Sequence, residues 1–169
     1  MAQEEKIEGT PEAKFREMNL EDFKDLSSAP RRRAREAALI AAFHMDIGGG
    51  SFEQAAGWFE DLGLSPENQA FARALVENAA KDREQVDAML SKYARGWQVS
   101  RFAGVDRCIL RLAVGEMLHP IDTPVTVVIN EAIELAKKFS AADSAGFING
   151  ILDNVYAHEF SAAESEPEK

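Results

Sequence analysis

The sequence contains one cysteine, Cys108, which excludes an internal disulfide and leaves stability to packing. Cys108 sits in the apolar stretch VDRCILRLA with no catalytic His or Asp pattern beside it, and reads as a small buried thiol. No stretch reaches the roughly 18 to 20 consecutive apolar residues that a membrane-spanning helix requires. The first residues, MAQEEKIEG, are acidic and lead into no apolar run, so no secretory leader is expected and the cytoplasm is the expected compartment. Period-two alternation of β-branched residues is scarce, which argues against a sheet. His44, His119 and His158 lie far apart, with no ligand at metal-binding spacing, so neither a metal nor a cofactor is expected. The glycines at 48–50 follow a helical pattern rather than a strand, which excludes a phosphate-cradling loop of the nucleotide-binding kind. Glu131 and Glu134 stand three apart on an ordinary helix, with Lys137 and Lys138 beside Glu134, so general acid–base chemistry is not expected. Together these absences leave no recognisable enzyme.

What is present favours helix. Hydrophobic residues make up 46% of 169 positions, enough for one core or two small helical halves packed together. Ala, Leu, Glu and Lys, all good helix formers, are abundant. The net charge of −10 is unevenly spread. Residues 1–29 contribute −4 and residues 159–169 contribute −3, so the body from 30 to 158 carries only −3. This divides the chain into an acidic N-terminal extension (1–29), a helical domain (30–158) and an acidic mobile tail (159–169). The extension has a weak amphipathic pattern in Phe15, Met18, Leu20, Phe23 and Leu26. It is expected to lie outside the main core and to fold back on the basic residues that follow.

Capping and breaker residues mark the helices. Ser27, Ser28 and Pro30 open one that runs to about Asp46 and ends at Gly48-Gly49-Gly50. Ser51 opens a second, stopped by Gly63, and Ser65-Pro66 a third, which extends to about Tyr93 with a bend near Ala80. Residues 94–104 read as a connector with one helical turn. Asp106 is placed to cap the next helix, which ends before His119-Pro120. Thr123-Pro124 opens another, with Val128, Ile129, Ala132, Ile133 and Ala136 on one face. Asp143-Ser144 starts the last, carrying Phe147, Ile148, Ile151, Leu152 and Val155 at helical spacing. The expected fold is an all-α compact bundle of six to seven helices, in two packed halves meeting near residue 94.

The first helix begins with Arg31, Arg32, Arg33 and Arg35, and continues into seven consecutive apolar residues from Ala37 to Phe43. An apolar run on every side of a helix belongs in a core, so the arginines are expected to project from the exposed end of a buried rod. A helix N-terminus carries partial positive charge, and each cation there costs about 0.3–1 kcal/mol. Their placement therefore points to an anion, since guanidinium forks suit phosphates and stack on bases. The simpler reading is a solvated basic face with Glu36 pairing to Arg32 or Arg33. Asn130 and Asn149 sit inside helices that disfavour asparagine and are read as buried residues bonding to neighbouring backbone. Gly150 suggests close helix packing, and Phe147 is either core or an exposed stacking ring.

Three separated motifs resemble the NusB family of antitermination factors. VVINEAIELAKKFSAADSAGFINGILDNV (127–155) resembles its C-terminal signature, VDRCILRLAVGEM (105–117) its preceding helix, and RRRAREAAL (31–39) its arginine-rich start. The order and spacing fit from about residue 30 to residue 158. The resemblance implies an all-helical, non-enzymatic protein that binds the single-stranded boxA element of ribosomal RNA leader transcripts. It implies NusE, a small-subunit ribosomal protein, as partner, with other Nus factors on RNA polymerase. It also implies RNA contacts by Arg31, Arg32, Arg33, Arg35, Arg111, Asp143 and Phe147, and a place for Asp106 on the face that meets NusE. Some ribosomal RNA methyltransferases carry a similar domain, but they continue into a catalytic domain that is not expected here. The alternative function is a helical protein-binding adaptor or homodimer without specific RNA binding.

Overall fold

The computed structural model describes residues 25–161, and within them every regular element is helical. Of the expected amphipathic stretch, Phe15, Met18, Leu20 and Phe23 lie outside the described residues, as do residues 162–169, whereas Leu26 is buried in the core rather than outside it. Helix α1 spans Pro30–Asp46. Its N-cap is Ala29 rather than either serine, because a residue before proline is pushed to extended backbone and Pro30 takes the first helical position. Ala34, Ala37, Ala38, Leu39 and Ala41 of α1 have no exposed surface, so the apolar run does lie at the centre.

The turn after α1 wraps the side chain of His44. A Cβ on Gly50 would fall 1.8 Å from His44 Nε2, so only glycine fits there. Ser51 then forms a reciprocal capping box with Gln54 and opens α2 (Phe52–Ala56), which breaks at Gly57 and resumes as α3 (Trp58–Asp61). Ser65 accepts from the Asn68 amide and opens α4 (Pro66–Lys81). The expected bend near Ala80 is a full break at Asp82, whose carboxylate meets His119 Nε2, and α5 follows at Arg83–Tyr93.

A 3₁₀ turn at Val99–Arg101 leads into α6 (Gly104–Leu118), the axis of the fold. It packs against α1, α4, α5, α7 (Val125–Phe139) and α8 (Ser144–Val155). Helices from both sides of residue 94 thus share one core. Close approach of α4 requires Gly115, where a Cβ would meet the Ala79 backbone at 2.8 Å. Gly150, by contrast, faces open space, so the close packing expected there belongs to Gly115. Helix α8 buries Ile148, Ile151, Leu152 and Val155, each aliphatic side chain contributing roughly 1.5–3 kcal/mol.

A π-helical turn at Tyr156–Phe160 continues α8. Glu159 accepts from Tyr93 Oη at 2.7 Å and Lys92 Nζ at 2.9 Å. The start of the expected mobile tail is therefore tied to α5. No helix among the described residues is long and apolar enough to cross a membrane.

Candidate nucleic-acid interface

Successive residues of a helix point about 100° apart, so four arginines within five positions cannot all face one way. Arg31 is exposed, with its guanidinium 4.1 Å from the centre of the Phe71 ring and 3.6 Å from Glu67. Arg32 reaches α7 and forks onto Glu131, with bonds of 3.1 and 2.9 Å, while 41% of its side chain stays in solvent. The hydrogen bond and then the charge of Glu131 hold the Arg32 pKa above its ordinary value.

Arg33 and Arg35 correct the expectation that all four project outward. Arg33 donates to three backbone carbonyls, Leu62 at 2.6 Å, Leu26 at 3.1 Å and Ser27 at 3.3 Å, and so ties the chain before α1 to the end of α3. Arg35 is 7% exposed and forks onto Glu116 of α6 at 2.5 and 2.8 Å. The cause is the central position of α1. Neighbouring elements cover the sides of α1 that carry Arg33 and Arg35, so a long cation there must meet an inward acceptor. Glu36 pairs with neither Arg32 nor Arg33. It accepts from Lys138 Nζ and the Ser27 amide, both at 2.7 Å.

The other expected residues gather at the opposite end of α1. Asp46 bridges Arg107 at 2.7 Å and Arg111 at 3.1 Å, and Arg111 also forks onto Asp87 with two bonds of 2.9 Å. Burial opposes the Arg111 charge, but the pairing with Asp87 and Asp46 outweighs it and raises the pKa. Arg107 also donates to the Phe102 carbonyl, and the Phe102 ring meets Phe147 edge-on at 5.4 Å. Phe147 is half-buried, so it is both part of the core edge and open on one side. Asp143 is exposed just before α8.

Asp106 sits in the first turn of α6 as a buried carboxylate that accepts from the Ser140 and Ser144 hydroxyls. It fastens α6 to the α7–α8 corner. Asn130 is exposed, contrary to the expected burial, and Asn149 is half-buried.

The expected contacts therefore form two groups. Arg31 and Asp46 are fifteen residues apart on one helix, which places the groups about 22 Å apart. A chain-like ligand touching both must run along the molecule. Sequence reasoning missed the acids that hold the arginines, chiefly Glu116 and Asp46. Glu116 did leave a trace, as the lone acid in the apolar segment LAVGEML.

Comparison with known proteins bears on this geometry. The model of the NusB family matches residues 32–157. The transcription antitermination protein NusB of Symbiobacterium thermophilum is 48% identical over 135 residues, covering 74% of this chain and 88% of the relative. The solved NusB of T. maritima is 32% identical with a TM-score of 0.70, covering 82% of this chain and 98% of that one. A chain from a crystal structure of antitermination factors NusB and NusE in complex with double-stranded RNA shares the fold. It has a TM-score of 0.69 at 23% identity, over 78% of this chain and 98% of that one.

Proposed function

This chain belongs to the NusB family of transcription antitermination proteins, and from that premise we propose that it binds the single-stranded boxA element of ribosomal RNA leader transcripts together with NusE. In the cytoplasm, with the other Nus factors on RNA polymerase, it would then suppress termination. The observation that carries this reading is the placement of Arg31 and Arg32. Both guanidinium groups remain partly in solvent at a helix end where cations are electrostatically disfavoured. Glu67 and Glu131 leave part of each guanidinium open, and that open side suits a phosphate oxygen.

The open side of Phe147 favours a single strand. A ring can stack on a splayed base but not on one held inside a duplex. Electrostatics also implies a partner. With a net charge of −10 and two of the four arginines held inward, RNA affinity of the chain alone is weak. NusE, as a ribosomal protein, would supply further contacts to the same strand.

The test is fluorescence anisotropy with boxA RNA, a scrambled strand and a duplex, at two salt concentrations, with and without NusE. Tighter binding to the boxA strand when NusE is present is the expected result. Equal binding to all three RNAs, or to none, would move the function to a protein-binding adaptor.

A further inference from the structure

The loop between α5 and α6 carries an aromatic residue that the fold does not use. Trp97 is 59% exposed, the most exposed large hydrophobic side chain among the described residues. Tryptophan is normally among the better-buried residues, so its presentation to solvent calls for a partner. The backbone is shaped to present it. Arg95 has φ 49° and Gly96 φ 88°, two successive left-handed residues, and the Trp97 amide closes the turn on the Ala94 carbonyl at 3.2 Å. Glycine takes that conformation freely, but for arginine it is strained.

Arg95 and Arg101 flank the ring, both exposed, and neither has an ion-pair partner among the described residues. These two arginines, Gly96, Trp97 and Gln98 line a shallow cavity of about 310 Å³. The patch adjoins the Phe147 group, since Phe102 follows Arg101 directly and touches the Phe147 ring.

We propose that Trp97, with Arg95 and Arg101, forms a second nucleotide-binding platform on which an unpaired base of bound RNA stacks while the arginines hold its flanking phosphates. This rests on the RNA-binding reading above and extends the strand's path beyond Phe147. The chemistry is complementary on each count. An indole face stacks on any base, guanidinium groups neutralise phosphate, and among the described residues no carboxylate holds either arginine. The Arg31 end differs, because there Glu67 and Glu131 already occupy the cations.

The test uses the full chain with NusE and fluorescein-labelled boxA RNA. Trp97→Ala is expected to weaken binding roughly 5- to 150-fold, the range that corresponds to loss of one stacked base, with Trp97→Phe recovering part of it. Arg95→Ala combined with Arg101→Ala should reduce the log–log salt slope by about 1.4. In a Trp58→Phe background, where Trp97 is the only remaining tryptophan, RNA should quench the indole emission. Unchanged thermal unfolding of Trp97→Ala would show that the effect is not structural. If the parent chain binds RNA and Trp97→Ala binds equally well without quenching, the platform is overturned and the RNA-binding reading stands. If Trp97→Ala instead loses NusE and keeps RNA, the patch is a protein contact and the proposal fails. If the parent chain binds no RNA, both readings fall.

Discussion

Arg35 and Glu116 join α1 to α6 through a two-pronged ion pair, with bonds of 2.5 and 2.8 Å and side chains only 9% and 1% exposed. Thr123 Oγ1 accepts a further bond from the same guanidinium at 3.3 Å, which brings in the segment before α7. An arginine from a motif that suggests RNA contact is thus a structural fastening in the centre of the bundle. Removing one partner leaves the other buried and uncompensated, which typically costs about 3–5 kcal/mol. Arg35→Ala and Glu116→Ala should each lower the urea midpoint by a corresponding amount. The pair Arg35→Met with Glu116→Leu should lose much less. Wild-type stability in Arg35→Ala, coupled with lost RNA affinity, would instead make Arg35 a direct contact.

Arg31 and Arg33, two positions apart, should separate affinity from stability. Arg31→Ala removes an exposed cation, so it should leave the unfolding midpoint nearly unchanged and reduce the salt slope of RNA binding by about 0.7. Arg33→Ala deprives the carbonyls of Leu26, Ser27 and Leu62 of their donor. It should destabilise the fold by about 1–3 kcal/mol. Urea titrations and anisotropy on the two variants would expose an error if their effects were interchanged.

Phe147→Ala should weaken RNA binding while the protein still folds. The ring's contact with Phe102 is worth about 0.5–1.5 kcal/mol beyond burial, a loss that a core of this size tolerates. Circular dichroism decides the matter, because a variant with no cooperative unfolding transition would make Phe147 a core residue.

Burial, followed by the neighbouring Asp46 charge, pushes the Cys108 thiol up to about 12. The folded protein should therefore resist aromatic disulfide reagents at pH 8 and react only on unfolding. The raised value also sets a pH dependence. Stability from this group is complete below the unfolded pKa of about 8.5. It declines as pH rises toward about 12, because the unfolded chain loses the proton first. Cys108→Ala should flatten that alkaline decline in a pH series of urea titrations.

Much of this was present in local sequence. The helix starts at Ser51 and Ser65 follow from capping side chains that contact a backbone amide three residues on. The buried course of α1 follows from seven apolar residues in succession, and the amphipathic α7 and α8 from helical spacing. These depend on contacts within one or two turns of chain, and local physics is enough to specify them. The family motifs added the functional premise, because their order and spacing survive in the linear chain.

Tertiary structure decided where each charge went. No local rule distinguishes Arg31, which stays in solvent, from Arg35, whose acceptor Glu116 lies 81 positions away on another helix. Asp106 read as a helix cap until the α7–α8 corner brought Ser140 and Ser144 to its oxygens. Gly115 rather than Gly150 proved to be a tight contact, because the α4 backbone runs close enough there to exclude a side chain. The physical reason is common to all three. A side chain's burial and partners depend on which face another element covers, and that is set by packing of the whole bundle rather than by the residues beside it.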